Sequence, residues 1–188
     1  MAFVPTSANL KDGDKRWLLK HIRQVDDIGF KVLDIVDLAA LPPDVLHHRL
    51  EAADVLVFGG GDTYHLMQWL KDSRVDTYIK DLLVSRVYVG ISAGSIVTGP
   101  DLTLGSQTYL WGGDGSREKP IPSGLHLVNE RVRPHLDNPD FPTINIENVR
   151  RVSRSVHEPV YALDDGSALA VMDGRSEVVG EGSFQRFN

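Results

Sequence analysis

Short apolar runs alternate with amphipathic stretches through the first hundred residues, and two of those runs end in glycines. "AFVP", "KVLDIVDL", "DVLVFGGG" and "VYVGISAG" have the β-branched and aromatic content of strands. Between them, "DKRWLLKHIRQVDDIGF" puts Leu18, Ile22 and Val25 on one helical face and closes on Gly29. "PPDVLHHRLEAA" opens with proline in its first turn, and "DTYHLMQWLKD" and "VDTYIKDLLV" read as two further helices. Strands separated by helices need crossover connections, which make neighbouring strands parallel. The chain is therefore expected to be α/β, a three-layer sandwich with a mostly parallel sheet and helices on both faces.

The second half differs in character. Residues 100–125 are rich in Gly, Pro and polar residues, "WGGDGSREKPIPSG" above all, and predict a long loop. "LHLVNERVRP" predicts a strand containing His126, and "TINIENVRRVSRSV" a helix. "PVYALDDGSALAVMDGRSEVVGEG" reads as short strands joined by "DDG" and "MDG" turns, a C-terminal β-meander. No repeat, low-complexity tract or linker interrupts the 188 residues, a length that suits one core, so 1–188 is expected to be a single domain.

Composition narrows the function classes. A net charge of −6, a pI near 5.6 and the lack of any basic stripe argue against a nucleic-acid partner or an anionic membrane. There is no cysteine, which excludes disulfides, zinc–thiolate sites and a cysteine nucleophile. No apolar run approaches the ~20 residues of a membrane span, and no signal-peptide pattern is present. A cytoplasmic enzyme or binding protein is the expectation.

Gly90-Ile91-Ser92-Ala93-Gly94 fits G-x-S-x-G between a strand and a helix. In that setting the serine stands on a tight turn with its hydroxyl exposed, and the N–H of the next residue faces the same space. The bland alternative is a glycine-rich turn with an idle serine. The second cluster, Gly59-Gly60-Gly61, ends another parallel strand, and ligands of open α/β sheets bind beyond such ends. Its N–H groups suit either a phosphate or an oxyanion hole shared with Ala93. Neither Walker nor G-x-G-x-x-G spacing is present, which weakens the phosphate reading. As a turn, the same segment needs only Asp62 as a helix cap.

A serine nucleophile needs a base. Of seven histidines, His47 and His48 are adjacent on a helix, His21 and His65 lie within helices, His157 is near a turn, and His126 reads as packed. His135, in "RVRPHLDNPDFP", follows a predicted strand and a proline, and is the candidate. The carboxylate that would orient it is open among Asp101, Asp114, Glu118 and Asp137. "HLDNPD" offers oxygen atoms but no recognised metal spacing, so no metal is expected.

Taken together, "FVPTSAN", "VLVFGGGDTYHLM", "GISAGSIVTGP", "RVRPHLDNPDF" and "PVYALDDGSALAVMDG" resemble, in order and over nearly the whole chain, the dipeptidase E (aspartyl dipeptidase) serine peptidases, with cyanophycinases as distant relatives. The resemblance implies a flavodoxin-like fold related to class I glutamine amidotransferases, a Ser-His-acid triad, no cofactor, homodimers, and cleavage of short peptides after an N-terminal aspartate. It assigns Ser92 as nucleophile, His135 as base, and the N–H groups of Gly60 and Ala93 as oxyanion hole. Counting back from His135 puts the acid near Asp114, whereas counting forward from Ser92 reaches Gln107. Asp114 is the choice, with Asp101 and Glu118 behind it.

Two departures stand out. The family's usual first strand and helix precede the point where this chain begins. Asn148 also stands near the arginine that reads the substrate aspartate in the family, leaving Arg150 and Arg151 as substitutes. Two other classes fit less well. An α/β-hydrolase esterase shares the serine turn, but not the short chain or the helix and meander after the histidine. A degenerate member would bind a peptide or carboxylate without turning it over.

Overall fold

A computed structural model describes residues 1–105 and 121–188. They form two compact units, residues 1–94 and 95–188. The first is a parallel sheet of β1 (Ala2–Val4), β2 (Asp34–Ile35), β3 (Val55–Phe58) and β4 (Val87–Gly90), in the order β2-β1-β3-β4. Val57 lies opposite Val89, and Phe58 opposite Gly90. Each crossover is helical: α1 (Arg16–Asp26) leads to β2, α2 (Pro43–Glu51) to β3, and α3 (Thr63–Asp72) with α4 (Val75–Leu82) to β4.

The helices form where the sequence pattern asks for them. Leu18, Ile22 and Val25 of α1 pack on Phe3, Val55 and Val57. Pro43 opens α2, where a missing N–H costs nothing. Asp62 caps α3, its Oδ1 accepting the His65 N–H at 3.0 Å. Leu46, Leu50, Leu66, Leu70 and Ile79 are fully buried, each stabilising the unit by about 1.5–3 kcal/mol. The expected strand "KVLDIVDL" contracts to the two residues of β2. It is an edge strand, and Asp34 turns aside to pair with Arg49 while Asp37 accepts from Thr6.

After β4 the chain turns at Ser92 into the short helix α5 (Ala93–Ile96). In the second unit, β5 (Arg131–Arg133) and β6 (Val160–Leu163) are parallel, joined through α6 (Ile146–Ser153). Their core is Leu104, Leu136, Ile144, Val149, Val152, Val160 and Ala162. β7 (Ser167–Met172) and β8 (Arg175–Gly180) form a hairpin, and β9 (Phe184–Phe187) then pairs antiparallel with β6. The C-terminal strands are thus not a simple meander. β9 returns to β6, where Phe187 packs against the core and the Asp164 carboxylate accepts the Ser183 N–H at 2.5 Å.

The strand expected over "LHLVNERVRP" also shrinks, to β5, and His126 lies outside it at φ 50°. The segment before β5 instead lies along residues 97–99, with Leu125 and Leu127 donating to the carbonyls of Val97 and Thr98 at 2.8 Å. Gly124 permits that approach: a Cβ there would meet the Gly99 oxygen at 2.1 Å.

Candidate active site

The turn after β4 is dictated by close backbone contact. A Cβ on Gly94 would lie 2.0 Å from the Phe58 carbonyl oxygen, so only glycine fits. Ile91 N–H donates to that same oxygen at 2.9 Å, and Gly94 N–H to the Ile91 oxygen at 3.0 Å. Ser92, caught between them, has φ 52°, a left-handed conformation that costs a serine about 1–3 kcal/mol. The turn is locked from beneath by Tyr88, whose hydroxyl donates to the Gly94 oxygen at 2.7 Å and whose ring stacks on Phe58 at 5.0 Å. Burial of that phenol pushes its pKa well up, so it stays a donor at any working pH.

The other glycine cluster sits beside this serine. A Cβ on Gly60 would meet Ser92 Cβ at 3.2 Å and its Oγ at 3.8 Å. Ala93 is fully buried at the start of α5. Gly60 and Ser92, expected from sequence to act together, are thus adjacent within one unit. The arrangement presents a hydroxyl on a strained turn with a side-chain-free backbone against it.

His135 follows β5 after Pro134 and also has positive φ, 68°. Its ring lies flat against Phe141, centroids 4.4 Å apart, and its Nδ1 is 2.6 Å from Oδ1 of Asp165. An ionised carboxylate can only accept, so Nδ1 carries the hydrogen and the neutral ring keeps its lone pair at Nε2. Asp165 is held in turn by Asn138, whose Nδ2 donates to Oδ2. The Asn138 side-chain oxygen accepts from the Asp140 N–H at 2.7 Å, and its own N–H donates to the His135 oxygen at 3.2 Å. This is the geometry that gives a histidine one tautomer and one orientation, as a general base requires.

The adjacent Asp164 is occupied elsewhere. Its carboxylate accepts from the N–H groups of Ser183 and Gly166 and from the Ser167 hydroxyl, and these hydrogen bonds hold its pKa below the usual range. Of the two aspartates in "DDG", the first builds the turn and the second faces the histidine. Sequence reasoning weighed neither Asp165 nor Asn138. The available signal was positional: β5 and β6 are parallel neighbours with Arg133 opposite Ala162, so residues just past their ends come together.

Among the other expected residues, Asp114 and Glu118 lie outside the described residues. Asp101 is committed to Arg131, whose guanidinium donates to both its oxygens and to Glu158, and its Oδ1 accepts the Thr103 N–H at 2.8 Å. Asp137 has φ 55° and donates its N–H to the Ile144 oxygen. Arg150 and Arg151 are exposed near the end of α6. Arg150 lies 5.9 Å from the Phe187 ring centroid, and Arg151 donates to the Asn148 side chain at 3.3 Å. Asn148 itself is part of the helix start, donating to the oxygens of Asn145 and Thr143. Among the described residues, no group of three or more His, Asp or Glu side chains could hold a metal ion, and no helix is long and apolar enough to cross a membrane.

Comparison with known proteins places the chain in a family. The model of peptidase family S51 matches residues 1–179. Peptidase E of Nostoc sp. (strain PCC 7120) is 25% identical, with 100% of this chain and 75% of that protein covered. A solved structure from Listeria monocytogenes EGD-e matches with a TM-score of 0.77 at 19% identity, covering 96% of this chain and 85% of its own. A solved peptidase from an acI-B1 actinobacterium matches with a TM-score of 0.68, also at 19% identity, covering 99% and 79%. These structural likenesses establish the mostly parallel α/β fold, and the family match, over nearly the whole chain, establishes the chemistry: the chain belongs to peptidase family S51 and is a serine-type peptidase.

Proposed function

We propose that the chain is an exopeptidase of the dipeptidase type, working through Ser92, His135 and Asp165. The observation that carries the reading is the 2.6 Å contact between His135 Nδ1 and Asp165, which commits Nε2 to accepting a proton. Asp165 takes the role that sequence counting gave to Asp114. The strained, glycine-bounded position of Ser92 supports its part as nucleophile.

In the proposed cycle the Ser92 hydroxyl proton passes to His135 Nε2 as Oγ bonds to the scissile carbonyl carbon. The carbonyl electrons move to its oxygen, which the N–H groups of Gly60 and Ala93 receive. Collapse breaks the C–N bond, and the Nε2 proton leaves on the amine. Water then attacks the acyl ester, giving its proton to the same nitrogen, and Oγ takes that proton back. Asp165 stays ionised throughout and stabilises the imidazolium.

The substrate class proposed is a short peptide with an acidic first residue, as the dipeptidase E resemblance implies, with Arg150 and Arg151 as the cations to read it. Homodimer formation belongs to the same reading. A fluorophosphonate probe should label the protein and fail to label Ser92→Ala. Asp-X, Glu-X and neutral dipeptides, assayed for release of the first residue, test the specificity. Faster release from neutral than from acidic dipeptides would remove the acidic preference and leave the chemistry standing.

A further inference from the structure

Beyond Phe58 the strand ladder ends, and the chain runs through three consecutive glycines. One last ladder bond, Gly59 N–H to the Val4 oxygen at 2.9 Å, fixes the start of the loop. The next two peptide planes, Gly59–Gly60 and Gly60–Gly61, have a glycine on both sides. Such planes rotate at little steric cost, so nothing intrinsic holds their N–H groups in one direction.

Ser7 supplies what the glycines lack. It lies in the 3₁₀ turn Thr6–Ala8 after β1 and is buried, 1% exposed. Its hydroxyl hydrogen is shared between two acceptors, the Gly59 oxygen at 2.9 Å and the Gly60 oxygen at 2.6 Å. Its own carbonyl accepts the Asp62 N–H at 2.8 Å. The contact is tight: a Cβ on Gly61, at φ 141°, would fall 2.2 Å from the Ser7 oxygen. Both peptides are trans, so each N–H is opposed to its C=O. Holding the two carbonyls toward Ser7 therefore turns the N–H groups of Gly60 and Gly61 to the opposite side of the loop. Gly60 is also the residue beside Ser92.

We propose that Ser7 is a positioning residue for the oxyanion hole: its hydroxyl clamps the carbonyls of Gly59 and Gly60 so that the Gly60 N–H is aimed before substrate arrives. The inference rests on the reading of Ser92 as nucleophile and Gly60 as oxyanion donor. An oxyanion hole stabilises the transition state only if its donors need no reorientation during the reaction. Without the hydroxyl, the Gly59–Gly60 plane is free to flip and carry the Gly60 donor away.

The test compares fluorophosphonate labelling rates, together with kcat and KM on a cleaved dipeptide, for the parent, Ser7→Ala and Ser7→Thr. Each protein is checked by circular dichroism and assayed below its melting temperature. Ser7→Ala should label roughly tenfold more slowly or worse, since loss of a whole donor costs about 10²–10³. Its kcat should fall with KM little changed, and the hydroxyl-bearing Ser7→Thr should recover most of the rate. If Ser7→Ala does not fold, Ser7→Cys, similar in size but a weak donor, takes its place with the same expectation.

Labelling of Ser7→Ala at the parent rate overturns the inference and leaves the nucleophile reading intact. Equal losses in Ser7→Ala and Ser7→Thr overturn it too, since the packing of the turn and not the hydroxyl would then matter. A raised KM at unchanged kcat does the same. A parent that is not labelled, or labelling that persists in Ser92→Ala, overturns both readings together.

Discussion

Ser92 and His135 each stand just past the C-terminal end of a parallel strand, and each has positive φ, 52° and 68°. They are held there by different forces. Around Ser92 the restraint is steric and lies in the backbone: there is no room for a side chain on Gly94 against the Phe58 carbonyl, and little for one on Gly60 against the serine itself. Around His135 the restraint lies in side chains: Asp165 holds Nδ1, Asn138 holds Asp165, and Phe141 covers the ring. The first arrangement fails when atoms are added and the second when polar atoms are removed. A glycine turn also orients only its own residue, whereas a histidine needs a partner from another strand end.

Removing the groups proposed to react should produce the largest effects. Ser92→Ala and His135→Ala are each expected to lower kcat by on the order of 10⁶-fold, and the double variant by little more, because the members act as a unit. Both should keep the parent melting temperature within a few degrees, measured by thermal denaturation. Turnover of Ser92→Ala within tenfold of the parent would break the comparison at its first step.

Asp165→Asn comes next. The amide preserves shape but can donate to Nδ1, which favours the wrong tautomer, and kcat should fall roughly 10⁴-fold. A loss under tenfold would show that the side-chain restraint on His135 is structural only. Gly94→Ala probes the opposite restraint. The added methyl cannot coexist with the Phe58 oxygen 2.0 Å away, so the turn must shift. Overpacking of this kind costs about 1–3 kcal/mol, and thermal denaturation should register it along with lost activity. An unchanged melting temperature would mean that the turn yields easily and does not hold Ser92 by contact.

The same contrast explains what the sequence made legible. Apolar periodicity marked the helices of the first unit because each is long enough to show its pattern, as with Leu18, Ile22 and Val25 on α1. The serine turn was legible because steric demands select glycine, and glycine is visible in a sequence. Asp165 was not, since what recommends it is the neighbour relation of β5 and β6, which brings it to His135, 30 residues away in the chain. "ALDDG" reads as a turn, and Asp164 does make one. The contraction of "LHLVNERVRP" to β5 has a similar cause: its first residues bond to the carbonyls of Val97 and Thr98, a tertiary contact with no local signature.

Asp101 offers the smallest expected catalytic effect and the sharpest control, because sequence reasoning made it a candidate for the role now given to Asp165. It pairs with the nearly buried Arg131, which also holds Glu158. Burial alone would raise the Asp101 pKa, but the hydrogen bonds from Arg131 and Thr103 outweigh it and leave the carboxyl below the usual range. Arg131 lowers Glu158 as well. The folded protein therefore binds fewer protons than the unfolded chain at these sites, and stability rises with pH there. The contribution is complete above the unfolded carboxylate values, about 3.9 and 4.3, and is lost as pH falls through the lower folded values. In Asp101→Asn the melting temperature should accordingly depend less on pH below ~4 than in the parent, with a loss of about 1–3 kcal/mol at neutral pH from the weakened hold on Arg131. Activity near neutrality should stay within about tenfold of the parent, because Asp101 is not asked to set a tautomer. If Asp101→Asn instead carries the 10⁴-fold loss and Asp165→Asn does not, the acid belongs beside Arg131, and the side-chain account of His135 must be abandoned.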